Sequence, residues 1–176
     1  LKVIRQIRNL DLAPFPAMDF ARNIFMFSFY THGMSFIDMA YLKKKDPQNG
    51  ILSYRRQKTG QQLFVKREKP MQEIVDKYRY KRHPLSVADN SGHECRRSPT
   101  VQECGHLVND KLKKLGEKLE LSIPLTSYVA HHGWASIARS RKHPACDYQR
   151  SNGARFGEGH ADLSRLFGHH LRRQGE

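Results

Sequence analysis

Residues 51–66 read ILSYRRQKTGQQLFVK. Two short runs of strand character, 52–56 and 63–66, flank the connection Gln57-Lys58-Thr59-Gly60-Gln61. Alternation of apolar and polar residues is the period of a half-buried strand, and a glycine-containing connection of this length is that of a hairpin. Lys58 is therefore expected at or near a hairpin tip, between two basic strands. Every other regular stretch of the chain carries helical spacing. The fold class that follows is mainly α with a small antiparallel β element, an α+β arrangement.

Upstream of the hairpin, Val3, Ile4, Ile7 and Leu10 suit a short amphipathic helix that leads into a turn at Pro14 and Pro16. Residues 17–32 have apolar side chains at 20, 21, 24, 25, 26, 27 and 29, which cover most of a helix's circumference and predict a central, buried helix. Gly33 fits its stop, and Ser35 with Asp38 three positions on is an N-cap signal for a short helix running to Leu42. Lys43, Lys44 and Lys45 then make a basic turn. Downstream, Pro70 at a helix start is followed by Met71, Ile74, Val75 and Tyr78, the spacing of one helical face. Between 79 and 105 no period of either kind persists. From His106 a stripe of Leu107, Val108, Leu112, Leu115 and Leu119 appears, with Lys111, Lys113, Lys114 and Lys118 around it. Thr126 or Ser127 is placed to cap a last helix through Arg139, after which periodicity is lost and glycines recur at 153, 157, 159, 168 and 175.

The chain has 176 residues, enough for one domain. Its 31 Lys and Arg against 17 Asp and Glu give +14, which favours a polyanionic partner, nucleic acid first. No run approaches the roughly 18 uncharged apolar residues that a membrane helix needs. Cys95, Cys104 and Cys146 form neither an even set nor a CxxC pair, so a disulfide framework is not expected and a reducing compartment such as the cytoplasm fits. A start at Leu1 without initiator methionine or leader is expected of a piece of a longer product.

Three stretches, FSFYTHGMSFIDMAYLKK at 27–44, ILSYRRQKTGQQLFVK at 51–66 and LTSYVAHHGWASIA at 125–138, resemble the catalytic domain of the tyrosine recombinase (phage integrase) family, the Bacteroides-type integrases above all. The resemblance covers residues 3–78 and 107–141. It implies a DNA-integrating enzyme that needs no metal or other cofactor, acts on double-stranded DNA as a homo-oligomer, and works in the bacterial cytoplasm on the nucleoid. Its reaction is attack of a tyrosine hydroxyl on a scissile phosphate to give a 3′-phosphotyrosyl link, later displaced by a second strand end. The transition state gathers negative charge, which two arginines suit because a planar guanidinium grips two phosphate oxygens and stays protonated. The resemblance makes Lys58 the general acid toward the leaving 5′ oxygen.

The departures from that pattern bear on activity. Where the family has arginine in a YTRGMS stretch this chain has His32, and where it has the second, in VARH, this chain has His131. A histidine is shorter, offers at most two donors and is mostly neutral at pH 7, and the loss of one such transition-state donor costs about 10² to 10³ in rate. Tyr128 stands where many members carry a histidine base, and a helix-start aromatic packed in the core is its equal alternative. His132 has a positioning and a catalytic reading, and Trp134 reads as core. The DNA-contacting residues are expected to be Lys43, Lys44, Arg55, Arg56, Lys66, Lys113 and Lys114, each of which is equally readable as part of a solvated face.

The resemblance also calls for a Gly-His pair and a nucleophilic tyrosine after Arg141, yet Tyr148 is too close to His131 and no tyrosine follows it. Reread one nucleotide later in permitted codons, residues 147–176 can encode a family-like ending that contains both, and residues 79–106 reread the same way also look like the family. Residues 79–106 and 142–176 are thus expected to be translated out of frame, leaving 1–141 as a partial catalytic domain. Those two segments hold seven of the ten histidines and all three cysteines, while the rest of the chain keeps 20 basic against 10 acidic residues. Two rivals stand beside an inactive recombinase fragment. One is a DNA-binding remnant that grips without cutting; the other is a zinc module on His93, Cys95, Cys104 and His106, whose HxC-x8-CxH spacing matches no closed site.

Overall fold

The computed structural model describes residues 2–42, 47, 48, 50–78 and 100–140. The described residues form six helices, α1 (Lys2–Asn9), α2 (Pro16–Tyr30), α3 (Phe36–Ala40), α4 (Lys69–Tyr78), α5 (Val101–Lys118) and α6 (Ser127–Ser140), and a small sheet of β1 (Pro47–Gln48), β2 (Ile51–Arg55) and β3 (Gln62–Lys66). The sheet is antiparallel throughout, in the order β1-β2-β3. This is the mainly α class with a small antiparallel β element that the sequence predicts.

Helix α2 is apolar on most sides because it divides two cores. One side contributes Phe20, Ala21, Phe25 and Met26 to a cluster with Ile4 and Ile7 of α1, Val108, Leu112 and Leu115 of α5, and Val129 and Ala130 of α6. The other presents Phe27 to Leu52, Tyr54, Leu63 and Val65 of the sheet, with Met34 and with Met71 of α4. Burying such side chains stabilises by roughly 1.5 to 3 kcal/mol each. One polar knot also crosses the layers. Asp19 accepts hydrogen bonds from Arg22, Asn23, Lys77 and Tyr78, so α4 is tied to the first turn of α2. Burial works to raise the Asp19 pKa, but the Lys77 hydrogen bond and the Arg22 and Lys77 charges outweigh it and hold the carboxyl below its ordinary value. The Tyr78 phenol is pushed up to about 12, by burial first and then by the Asp19 carboxylate.

Several local expectations meet the structure with shifts. Ser35 caps α3 as its spacing predicts, its Oγ accepting from the Asp38 amide, but the helix ends at Ala40 rather than at Leu42. Pro16 opens α2 at its first turn instead of belonging to the preceding turn, because its fixed φ and missing N–H suit that position. Helix α5 starts at Val101, ahead of the expected return of pattern at His106. The reason is a capping box: the Thr100 hydroxyl accepts from the Glu103 amide and the Glu103 carboxylate accepts from the Thr100 amide. A third strand, β1, was not expected from sequence. Among the described residues no helix is long and apolar enough to cross a membrane.

Candidate nucleic-acid interface

The hairpin is closed by Arg56 and Gln61, the Arg56 amide donating to the Gln61 carbonyl at 2.8 Å and the Gly60 amide returning to the Arg56 carbonyl at 2.8 Å. Gly60 has φ +69°, the left-handed region that glycine enters without a Cβ penalty. Residues 57–59 form the turn, and Lys58 stands exposed at its tip, where the sequence puts it. The turn is anchored from α3, because the Gln57 amide donates to Oδ1 of the buried Asp38 at 2.8 Å.

Strand register separates two arginines that are adjacent in sequence. Leu52, Tyr54, Leu63 and Val65 are buried, so their neighbours Ile51, Ser53, Arg55, Gln62, Phe64 and Lys66 line the opposite face. On that outer face Phe64, 68 % exposed, is flanked along its strand by Lys66 and lies opposite Ser53, with Arg55 one step beyond. Arg56 falls on the inner side instead. Its guanidinium lies beside the Tyr54 phenol, whose pKa burial raises and Arg56 partly restrains. Grouping Arg55 and Arg56 as equivalent DNA contacts, as the sequence suggests, overlooks this two-residue period.

Facing the inner side of the hairpin, the end of α2 meets α6. His32 and Gly33 both take left-handed φ values, +61° and +78°, which turns the chain sharply out of α2 toward α3. A Cβ on Gly33 would lie 2.9 Å from the His131 carbonyl oxygen and 3.0 Å from its Nδ1, so glycine is what permits the contact. His131 Nδ1 donates to the Gly33 carbonyl. Burial lowers the His131 pKa, with the Gly33 hydrogen bond working the other way and the nearby Arg56 charge adding to the fall. A neutral imidazole whose Nδ1 carries the proton leaves Nε2 as an acceptor. His131 so held has no second donor for a phosphate.

The remaining histidines and aromatics form a chain across α6. The His32 ring stacks on Trp134 with centroids 4.7 Å apart. His132 stands edge-on to His131 at 4.8 Å and lies 3.9 Å from the Tyr128 ring. Trp134 is buried, as expected. The core-packed alternative for Tyr128 fails, because it is 57 % exposed. A first-turn residue on the outer side of α6 cannot reach the core cluster that Val129 and Ala130 enter.

On α5, Lys113 and Lys114 are exposed, with Lys113 ion-paired to Asp110 at 3.3 Å. Lys111 is partly buried, and the Lys118 ammonium lies over the Phe15 ring at 4.7 Å, so neither is a simple member of a solvated basic face. Lys43 and Lys44 lie outside the described residues, as do His93 and Cys95 of the zinc alternative. Of the other half of that alternative, Cys104 packs against the core while His106, two residues on, is exposed. Residues two apart on a helix do not share a face. Burial raises the Cys104 thiol's pKa, away from the thiolate that binds zinc. Among the described residues no group of three or more His, Cys, Asp or Glu is placed to hold a metal ion.

Sequence reasoning missed three positioning contacts. The Asn109 side chain accepts from the Ser127 amide at 2.9 Å and so caps α6 from α5. The Asp19 knot links residues 58 and 59 apart in sequence, which no local pattern shows. The Thr100-x-x-Glu103 capping box was legible as a motif.

No protein-family model matches the chain, and no curated protein matches it. The chain is similar to a solved structure described as the crystal structure of XerA recombinase, at 13% sequence identity and a TM-score of 0.43, a likeness too distant to assign a chemistry. The match covers 84% of this chain but 62% of that one, so the chain spans less than two thirds of that protein's length.

Proposed function

We propose that this chain is a DNA-binding derivative of a tyrosine-recombinase catalytic domain, one that grips duplex without cutting it. The observation that carries the reading is the His131–Gly33 contact. At the position where the resemblance puts a phosphate-gripping arginine, an imidazole spends its donor proton on a backbone carbonyl and is left with an acceptor lone pair at Nε2. His32, at the other arginine position, is stacked on Trp134. Neither side chain offers the two parallel N–H groups that a guanidinium aims at a developing phosphorane.

What survives is the electrostatic part. Lys58 projects from the hairpin tip, Arg55 and Lys66 share its outer face, and the chain carries +14 overall. Lys113 and Lys114 add exposed charge on α5. Contacts of this kind bind phosphates without reading sequence and release counterions as they do so. Homo-oligomerisation on DNA and a nucleoid location belong to the same reading. So does translation of residues 79–106 and 142–176 out of frame, which would account for the missing Gly-His pair and nucleophile; sequencing the locus and finding no change of frame overturns that part.

The test is fluorescence anisotropy with a labelled duplex over a range of KCl, alongside a nicked suicide duplex that traps covalent intermediates. The reading requires salt-dependent binding and no covalent adduct. An adduct would restore the enzyme; no binding at low salt would remove DNA as the partner.

A further inference from the structure

Arg56 is the described cation whose surroundings ask for an anion. Its backbone is fixed as the closing pair of the hairpin, and strand alternation turns its side chain inward, past Tyr54, toward His131. There its Nη2 is buried and finds no hydrogen-bond partner among the described residues. Across the closing pair, Gln61 Nε2 is in the same condition. No described carboxylate is within ion-pair distance of Arg56. The acid whose field reaches the same imidazole, Asp38, is committed through Oδ1 to the Gln57 amide.

A buried donor without an acceptor costs on the order of 1 to 3 kcal/mol, and more when it is charged. Such a group is relieved by an anionic oxygen. The residue as a whole keeps part of its surface in solvent. Lys58, two positions along the turn, is exposed at the hairpin tip.

We propose that Arg56 grips one DNA phosphate on the side of the hairpin that faces α6, as the guanidinium that positions 32 and 131 do not supply. Arg55, facing the other way, contributes only general attraction. This rests on the DNA-binding reading above and adds to it a single, position-dependent contact. A charge-assisted pair with the nitrogen that Tyr54 leaves unpaired confers a preference for one phosphate that surface lysines cannot.

The experiment is a methylphosphonate scan. Duplexes of one sequence carry a single neutral linkage at successive positions, and the wild-type chain, Arg56→Gln, Arg56→Lys and Arg55→Gln are compared by anisotropy. Neutralising one phosphate is expected to weaken wild-type binding by about tenfold, well beyond its neighbours. Arg56→Gln should bind more weakly and lose that position's distinction, and Arg56→Lys should keep the charge but blunt the distinction. Arg55→Gln should bind less tightly at every position while keeping it. A wild-type scan in which no single phosphate stands out overturns the proposal and leaves the DNA reading intact, and it needs no variant to fold. Failure of the wild type to bind any duplex overturns both.

Discussion

Gly33 and His131 approach so closely that a single added carbon would lie 2.9 Å from the His131 carbonyl oxygen, while the His131 ring donates back to the Gly33 carbonyl. Residues 98 apart in sequence thus fix the end of α2 against α6, with His32, the residue before Gly33, stacked on Trp134 of the same helix. The substitution Gly33→Ala meets two penalties, a φ of +78° and the missing space. It is expected to destabilise the fold by about 1 to 3 kcal/mol, read as a lower urea midpoint at unchanged slope. An unchanged midpoint would mean that α6 is not seated on Gly33.

Acid should weaken this protein in two separate windows. The folded-state pKa of His131 is below the ordinary 6.5, with burial the first cause, so at mildly acid pH the unfolded chain binds a proton that the folded one refuses. Stability from this source is complete above about 6.5 and declines as pH falls through the lower folded value. Asp19 acts lower down. Burial opposes its ionisation, but Lys77 and Arg22 prevail, so its contribution is complete above 3.8 and declines as pH falls further. Denaturation midpoints measured against pH should therefore lose their upper slope in His131→Gln and their lower slope in Asp19→Asn. The Asn variant also frees α4 from α2 and should lose about 1 to 3 kcal/mol at neutral pH.

The helices and the hairpin were legible because each satisfies a short-range rule. Residues 52–56 and 63–66 alternate, Gly60 permits the turn, and Ser35 announces α3 through the Asp38 amide. What escaped is long-range or combinatorial. The apolar girdle of α2 signals burial but not that Phe25 and Phe27 belong to different cores. Nothing local in Asp19 points to Tyr78. Of the site, the tip position of Lys58 was readable and the meeting of His131 with Gly33 was not, since it depends on how α2 and α6 cross. The opposed directions of Arg55 and Arg56 follow from strand period alone, once the register of Tyr54 with Leu63 is known.

Lys58 and the outer face of the hairpin should differ in how they respond to salt and to sequence. Lys58→Ala removes one exposed point charge, so affinity is expected to fall about equally for unrelated duplexes and the slope of log K against log salt to drop by about one. Phe64 has no charge to lose. If the outer face lies against DNA, Phe64→Ala weakens binding with the salt slope intact, because only apolar contact is removed. Anisotropy titrations at several KCl concentrations separate the two, and a slope unaltered in Lys58→Ala would take the hairpin tip off the DNA.

Placing an arginine at position 131 tests the proposed DNA-binding face from the side of α6. His131 is held neutral, with burial and the Arg56 charge both opposing its protonation, so it offers a phosphate no donor beyond the one already given to Gly33. An arginine there keeps its charge at any accessible pH and carries five donors, although it gives up the ring's bond to Gly33 and adds a second cation near Arg56. The net expectation for His131→Arg is tighter duplex binding by up to about tenfold, with a salt slope steeper by about one and a lower denaturation midpoint. Covalent capture of a nicked duplex should remain absent, because an arginine at position 131 would add a charge for an anion and not an attacking hydroxyl. Binding no tighter than wild type, in a variant shown by circular dichroism to be folded, would place the DNA phosphates away from α6.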